Sequence, residues 1–447
     1  MTNKFRIGLR REDKNPWERR VPVIPKHVAA LVKDHGIEVL VQKSDLRAIP
    51  AGEYARAGAK VVEDLSSCGT VFAVKEIPAK LLQKGKTYVF FSHTIKGQAY
   101  NMPLLRAIMD LGCQLIDYER MVDEKGRRLV FFGKYAGLAG MIDTFWALGR
   151  RLDLEKAANP FSAVKRAIEY PGLAAAETAL AEAGGKIAAG GLDDSMIPLV
   201  IGFTGYGHVS QGAQELLRNF PVEEVAPKDL AVLFRDPPAG AKERIYKVVF
   251  REEHMAEPAT PGQSFDLQEY YKHPEKYRSK FEQYLPYLSV LVNCIYWEPR
   301  YPRLVTKSWL KKSYEGGQKP RLKIIGDISC DVNGAMECTV KCTDIGNPVF
   351  VYDPLNDTAI DGYRGTGPVV LAVDNLPAEL PVEASGEFSS ALIPFIPEIA
   401  KADMTVKFED CRLSDPVKKA MLVYQGRITP DYRYMEKFLA AAPMEKK

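Results

Sequence analysis

Polar side chains stand where several apolar runs of this chain stop. Lys75 ends Val71-Phe-Ala-Val, and His93 follows Val89-Phe-Phe-Ser. Asp117 and Glu119 follow Gln114-Leu-Ile, and Asp327 follows Leu322-Lys-Ile-Ile-Gly. In α/β sheets the C-terminal ends of the strands face the ligand crevice. A lysine, a histidine and carboxylates gathered there make an acid/base set. A lysine desolvated beside other cations loses its proton nearer neutrality and serves as a base. Histidine covers the same range with little perturbation. Each residue alone has an ordinary explanation: a satisfied structural histidine, or a lysine snorkelling from a sheet edge. Glu18-Arg19-Arg20 and Arg127-Arg128 are either solvated surface charge or forks for carboxylates.

A second kind of chemistry is written in Ile197-Pro-Leu-Val-Ile-Gly-Phe-Thr-Gly-Tyr-Gly-His-Val-Ser-Gln-Gly-Ala-Gln. An apolar strand (Ile197 to Phe203) runs into a turn at Gly205 and Gly207, and a helix is expected to open at Gly212. This order suits a dinucleotide pyrophosphate. Gly205 permits the turn, Gly207 admits the phosphates to the backbone, and the helix N-terminus offers N–H groups and a positive dipole end. Ser210 stands where the G-x-G-x-x-G pattern has its third glycine, so the loop alone is also compatible with a bare structural turn.

The elements that must position these residues alternate along the chain. Strands are expected at Phe5 to Leu9, Glu38 to Gln42, Lys60 to Val62, Val71 to Lys75, Thr87 to Ser92 and Gln114 to Tyr118. Helices are expected at Pro25 to Asp34, Pro50 to Ala57, Met102 to Leu111 and Leu138 to Leu152. This alternation argues for a doubly wound α/β sheet. Residues 155 to 195 read as largely helical. A second α/β unit starts at Pro198, with further strands at Leu230 to Phe234, Leu288 to Ile295, Leu322 to Ile328, Val349 to Asp353 and Val369 to Asp374. Arg235 to Ser264 reads as a long excursion or lid, and Ser385 to Ala400 as a final helix.

The chain has 447 residues, enough for two or three domains at about 150 residues each. It is 46% hydrophobic and 26% charged, with a formal net charge of +4 and no run of five or six like charges. That argues against nucleic-acid binding and mildly favours anionic ligands. The seven cysteines are scattered without a C-x-x-C pair, and the six histidines show no H-E-x-x-H, so neither a disulfide framework nor a metal site is expected. There is no signal-peptide pattern and no apolar stretch of 18 residues. A cytoplasmic protein with no membrane association is expected.

Longer motifs carry a resemblance. Arg10-Arg-Glu-Asp with Trp17-Glu-Arg-Arg, Val74-Lys-Glu-Ile-Pro, Phe91-Ser-His-Thr-Ile-Lys-Gly-Gln, Phe132-Gly-Lys-Tyr-Ala-Gly-Leu-Ala-Gly, Thr204-Gly-Tyr-Gly-His-Val-Ser-Gln-Gly-Ala, Gly326-Asp-Ile-Ser-Cys-Asp and Val373-Asp-Asn-Leu-Pro-Ala-Glu-Leu-Pro resemble the lysine–2-oxoglutarate reductase family. The likeness covers nearly the whole chain. It is greatest to the reductase half of bifunctional aminoadipic semialdehyde synthases, and more distant to lysine-forming saccharopine dehydrogenases. It implies two Rossmann-like domains of the alanine dehydrogenase/transhydrogenase type. It also implies that the ε-amine of lysine condenses with 2-oxoglutarate and that hydride reduction of the imine gives saccharopine. Lys75 and His93 match the general base and general acid, with roles set by the direction of reaction. Glu119 matches a carboxylate that tunes the lysine. Arg20, Gln98, Arg127, Arg128 and Phe132 match positions lining a substrate and cofactor cleft. Gly205, Gly207, His208, Val209 and Gly212 match the dinucleotide loop. Asp327, Ile328 and Ser329 match the cofactor-binding segment where the chain returns from the cofactor domain, and Asp327 matches a substrate position as well.

The family's bifunctional members continue into a second dehydrogenase, whereas this sequence stops at Lys447. A separate glutamate-forming saccharopine dehydrogenase is therefore expected to act next. Val222-Glu-Glu-Val is taken as the second strand of the cofactor unit, followed by Ala226, Pro227 and Lys228. Alanine there offers no acceptor for a ribose hydroxyl, and Lys228 suits a 2′-phosphate, so NADP(H) is expected over NAD(H). Glu224 would reverse this in another register. The expected domains are residues 1–140 with about 371–447 for the substrate, and 141–370 for the dinucleotide, with substrate held between them. The rivals are a lysine-forming NAD-dependent enzyme, an alanine dehydrogenase-type enzyme using ammonia, and a cofactor-binding regulatory protein without turnover.

Overall fold

Short runs of branched apolar residues, each closed by a glycine, proline or charged turn, become the parallel strands of this protein. The computed structural model describes residues 5–441. The chain divides into two compact units. One comprises the residues up to Phe132 together with those from Pro381 onward, and the other is Gly133–Leu380.

The first unit opens with strands β1 (Arg6–Leu9), β2 (Glu38–Gln42), β3 (Lys60–Val62), β4 (Thr70–Phe72), β5 (Thr87–Phe90) and β6 (Gln114–Asp117). They pair in parallel in the order β3-β2-β1-β4-β5-β6. The winding reverses between β1 and β4, and in such sheets the ligand crevice lies at that point. Helices α1 (Pro25–His35), α2 (Ala51–Arg56) and α3 (Met102–Asp110) make crossovers. α1 takes Pro25 in its first turn and stops at Gly36, whose φ of 65° favours glycine. Every residue of β4, β5 and β6 is buried, as expected of a sheet covered on both faces. Burying an aromatic such as Phe72 or Phe90 stabilises the unit by roughly 1.5–3 kcal/mol.

The second unit begins with the long helix α4 (Gly133–Glu155) and with α5 (Leu173–Ala188). Its sheet contains β7 (Leu199–Thr204), β8 (Val222–Glu224) and β9 (Ile245–Phe250). After a small antiparallel pair, β10 (Ala256–Pro258) and β11 (Tyr277–Ser279), come β12 (Val290–Asn293), β13 (Ile324–Asp327), β14 (Val349–Asp353), β15 (Thr358–Asp361) and β16 (Val369–Leu371). The spatial order is β8-β9-β7-β12-β13-β16-β14-β15, parallel except around β14. The winding reverses between β7 and β12. Helix α6 (His208–Glu215) follows β7 and packs on α4 so closely that a Cβ on Gly137 would overlap the Val209 carbonyl. One on Gly212 would overlap the Lys134 carbonyl.

Several local expectations are corrected here. Leu230 to Phe234 is helical, within α7 (Leu230–Arg235). Leu230 and Leu233 are buried while Val232 is half exposed, the period of a helix that five apolar letters could not reveal. The excursion from Arg235 to Ser264 contains β9, which lies inside the sheet beside β7. Val222–Glu224 is instead the outermost strand, with all three residues exposed. Helix α6 starts at His208, directly after Gly207, rather than at Gly212. Between residues 155 and 195 the only α-helix longer than a turn is α5, and prolines and glycines hold the remainder in turns.

The chain then returns to the first unit. The expected final helix is two, Pro381–Leu392 and Ile396–Lys401, broken near Pro394. The first of these anchors the segment after β1. Ser385 Oγ accepts the Val21 N–H at 2.9 Å, and Ser389 Oγ accepts the Ile24 N–H at 3.0 Å. Strand β17 (Met421–Tyr424) adds antiparallel to β6, with β18 (Arg427–Ile428) beside it.

Candidate active site

In the first unit, the turns after β1, β4, β5 and β6 carry the charged residues. β1 leads into Glu12, a nearly buried carboxylate that accepts the backbone N–H of Val74 at 2.7 Å and of Lys75 at 3.1 Å. The residues on either side of the winding reversal are thereby tied together. Burial, followed by the nearby Glu18 carboxylate, pushes Glu12 up to about 7. Lys75 sits just beyond β4. Burial and then Arg20 lower its pKa, Lys14 adds to this, and the negative charges of Glu18 and Glu76 oppose it. Its environment is that of a lysine prepared to give up its proton.

His93 follows β5 with φ 50°, an uncommon conformation for a residue with a side chain. Its Nδ1 bonds Glu76 Oε1 at 2.7 Å, and its ring stacks on Phe91 with centroids 6.3 Å apart. Glu76 also accepts from Lys14 Nζ at 2.8 Å. Burial opposes ionisation of Glu76, but the His93 hydrogen bond and charge, then Lys14, hold it down to about 2. Asp117 closes the same turn from the end of β6. It is fully buried and accepts the N–H groups of Ser92 at 3.1 Å and Glu119 at 2.8 Å. Desolvation raises it to about 6.

The residues expected to line the substrate cleft separate into engaged and exposed groups. Arg20 is buried and its fork is held by Glu18, with Nε at 2.8 Å and Nη2 at 2.6 Å. Its guanidinium lies 4.2 Å from the centroid of Phe132. Phe132 in turn stacks on Phe388 at 4.3 Å. Burial works against the Glu18 charge, but Arg20 and then Lys75 keep its pKa below the ordinary value. Glu119 accepts from Arg128 Nη2 at 2.6 Å. The carboxylates whose charge reaches Lys75 most strongly are Glu18 and Glu76. Arg127 is 74% exposed and pairs with Asp123 at 2.7 Å, in a turn made tight by Gly126 at φ 75°. Gln98 carries a buried Oε1 without a hydrogen-bond partner among the described residues.

In the second unit the glycine loop has the geometry a dinucleotide needs. Gly205 adopts φ 83°, and a Cβ there would press on Ile295 at 3.1 Å. Gly207 is extended, and a Cβ there would meet nothing within 4 Å, so the backbone is open to an approaching ligand. His208 and Val209 form the first turn of α6, where the dipole is positive. Gly212 serves a different purpose, the close approach of α4. Asp327, at the end of β13, is fully buried. It accepts from Asn293 at 2.8 Å, Thr339 at 2.6 Å and the Cys330 N–H at 3.2 Å, and burial raises it to about 6. Asn293 accepts from Thr204 at 2.7 Å, so this chain of bonds fixes the ends of β7, β12 and β13 relative to one another. The Ile328 N–H donates to the Asn293 carbonyl at 3.0 Å, and the Ser329 hydroxyl bonds the Ile295 carbonyl. Lys228 lies in the turn after the outer strand β8.

Comparison with known proteins decides the family. Residues 8–139 match the alanine dehydrogenase/PNT N-terminal domain, and residues 266–431 match the alanine dehydrogenase/PNT C-terminal domain. The chain belongs to the alanine dehydrogenase/PNT family. It is 37% identical over 448 residues to the mitochondrial alpha-aminoadipic semialdehyde synthase of Bos taurus, covering 97% of this chain and 48% of that protein. It thus spans about half the length of that relative. It is 27% identical over 416 residues to the saccharopine dehydrogenase (NAD(+), L-lysine-forming) of Yarrowia lipolytica, covering 90% of this chain and 94% of that protein. Among solved structures, an L-alanine dehydrogenase aligns with a TM-score of 0.62 at 18% identity, covering 97% of this chain and 99% of that one. The fold is therefore the alanine dehydrogenase fold, and the family resemblance read from the motifs is borne out.

Sequence reasoning passed over Glu12, Glu76 and Phe388. The first two lie within motifs already singled out, Arg10-Arg-Glu-Asp and Val74-Lys-Glu-Ile-Pro. The signal available was position, since both sit in loops directly after central strands. Phe388 had no such signal, because it reaches the aromatic cluster from a helix about 250 residues further along the chain.

Proposed function

We propose that this protein joins L-lysine to 2-oxoglutarate reductively, forming saccharopine with a nicotinamide coenzyme as hydride donor. The observation that carries the proposal is the desolvated Lys75 beside the Glu76–His93 pair, in the turns after β4 and β5 next to the winding reversal of the first sheet. Neutral Lys75 takes a proton from the attacking ε-ammonium group, freeing the amine to add to the ketone carbon. The ketone oxygen takes the proton that the nitrogen sheds once the C–N bond has formed, and the ring of His93 donates a second proton to the resulting hydroxyl, so that water leaves and a protonated C=N bond remains. With Nδ1 committed to Glu76, the transfer uses Nε2. Reverse flux exchanges the two roles. The bound nicotinamide supplies the hydride that reduces the C=N carbon.

Three carboxylates on the product call for several donor sites. Arg128 and the exposed Arg127 are proposed to reach them, with the orphaned Gln98 Oε1 accepting from the amine or the α-ammonium group. Arg20 and Phe132 are proposed to form the floor of the site. Glu119 is proposed to hold Arg128 in position. Gly205, Gly207, His208 and Val209 are proposed to take the pyrophosphate, while Gly212 and the Asp327–Ser329 segment hold the loop and strand ends beneath it. For the coenzyme we favour NADP(H). Cations follow both β8, at Lys228, and β9, at Arg251. The seven free cysteines suit a reducing compartment, of which the cytoplasm is one.

Absorbance at 340 nm tests this directly, with NADPH or NADH and with lysine or 2-oxoglutarate omitted in turn. Oxidation is expected only with both substrates present and to be faster with NADPH. Activity with ammonia in place of lysine would move the protein to the alanine dehydrogenase-type reaction. A clear preference for NADH would favour the lysine-forming reading, whose Yarrowia relative is named for NAD(+).

A further inference from the structure

On the side away from β12, the strand beside β7 is β9, and this changes which residue meets the adenosine ribose. The Gly205 N–H donates to the Phe250 carbonyl at 3.0 Å, so the C-terminal end of β9 lies against the glycine loop. The next residues are Arg251 and Glu252. The Arg251 guanidinium lies over the ring of Tyr206, 5.1 Å from its centroid, and Tyr206 stands between the two loop glycines. Arg251 is exposed and pairs with no carboxylate among the described residues. Glu252 is already occupied. Its Oε1 accepts from the Tyr271 hydroxyl at 2.6 Å and from the Tyr206 hydroxyl at 3.5 Å. Of the two charges at this strand end, the anion is covered by phenols and the cation is presented on an aromatic face.

In a doubly wound dinucleotide sheet, the end of the strand adjoining the glycine-loop strand faces the ribose 2′ position. An acid there accepts the 2′-hydroxyl of NAD, whereas an arginine takes the 2′-phosphate of NADP. We propose that Arg251, rather than Lys228, reads the 2′-phosphate, with Tyr206 as the surface that holds the guanidinium flat. A guanidinium stacked on a ring keeps its N–H edge free for a bidentate bond to phosphate. Lys228 follows β8, which pairs with β9 and not with β7, so it stands one strand further from the loop. This inference rests on the NADP(H) reading above and identifies the residue responsible.

The test is isothermal calorimetry of NADP(+) and NAD(+) on the full chain, comparing wild type, Arg251→Gln and Lys228→Gln. These ligands differ only by the 2′-phosphate, and neither measurement requires turnover. Wild type is expected to bind NADP(+) more tightly. Arg251→Gln should lose roughly 10- to 100-fold of NADP(+) affinity, as for a charge-assisted bond removed, and keep its NAD(+) affinity. Lys228→Gln should keep both. Unchanged NADP(+) binding by Arg251→Gln, or loss confined to Lys228→Gln, overturns the assignment. Wild type preferring NAD(+) overturns the coenzyme reading itself, and is seen before any substitution is made. Because Arg251 is exposed, its variant should melt with the wild type, and a melting curve checks this.

Discussion

At the winding reversal of the first sheet, between β1 and β4, the turns are filled with charge. Glu12, Glu18, Lys75 and Glu76 are desolvated there, and their ionisation responds to one another and to the neighbouring Arg20 and His93. At the matching reversal of the second sheet, between β7 and β12, the turn is bare backbone at Gly205 and Gly207. The strand ends behind it are bound by the Thr204–Asn293–Asp327–Thr339 chain. Both sheets use the same topological device to bring strand ends together. What differs is how the turns are furnished. Buried titratable groups with mismatched partners can move protons, while glycines and a helix N-terminus can hold an anion and move none.

The largest expected effect breaks this contrast if it fails to appear. Lys75→Met should lower kcat by about 10²–10⁴-fold, the usual contribution of a general acid or base, with a melting temperature close to wild type. Steady-state kinetics beside circular dichroism would show it, and unchanged turnover would remove Lys75 from the mechanism. Gly207→Val makes the reciprocal test in the second unit. A Cβ there would meet no protein atom within 4 Å, so the fold should hold. It would stand where the phosphates approach, and coenzyme affinity should fall on the order of tenfold or more, read by calorimetry. Equal losses of affinity and stability would mean that the open space is not the ligand's.

Glu76→Gln sharpens the proton-transfer side. The glutamate charge raises the Lys75 pKa, and Lys14 lowers it. The variant removes the first and leaves Lys14 without its partner, so both changes act downward. The acidic limb of the kcat/KM profile, along which the base loses its proton, should move to lower pH. Movement to higher pH would contradict this account of the lysine.

How much of this was legible in the sequence depends on the length scale of the interaction. The strands of the first sheet and the glycine turn could be read because apolar runs and glycines act locally. Lys75 and His93 could be placed because a strand end is a local feature. The position of β9 could not be. Its letters, Ile245-Tyr-Lys-Val-Val-Phe, look like a strand, but nothing local says that it enters the sheet inside β8. In the sequence the 2′-phosphate partner therefore falls at Lys228, and in the fold the proposed partner is Arg251. Arg20 is a similar case. The Arg19-Arg20 pair suggests forks for carboxylate ligands, and only the fold reveals that Glu18, two residues earlier, already fills that of Arg20.

The smallest expected effect asks whether every desolvated carboxyl in the molecule is chemical. Asp143 on α4 and Glu379 are both buried in the second unit. Asp143 Oδ1 accepts the Ala167 N–H at 2.7 Å, and Glu379 Oε2 accepts the Ile168 N–H at 3.2 Å. Their other oxygens, Asp143 Oδ2 and Glu379 Oε1, are buried without a donor among the described residues, and a proton shared between the carboxyls satisfies both. Burial raises Asp143 to about 7, and burial with the Asp143 charge raises Glu379. For an acid raised in the folded state, the folded protein holds the extra proton between its unfolded and folded pKa values. The stabilisation is therefore complete below about pH 4 and lost as pH rises towards 7. Wild type should melt lower at pH 8 than at pH 5. Asp143→Asn replaces the shared proton with an amide N–H that does not titrate, so the difference between those two temperatures should shrink by a few degrees, at roughly 2–4 °C per kcal/mol for a unit of this size. Its kcat should stay within about twofold of wild type, since a group outside the reacting site offers no acid or base to the transition state. A large fall in kcat would place a titrating group in the second unit within the chemistry and erase the contrast between the two sheets. A smaller pH effect on melting with turnover intact would mean that burial of a carboxyl becomes catalysis only where a base and an acid stand at the same winding reversal.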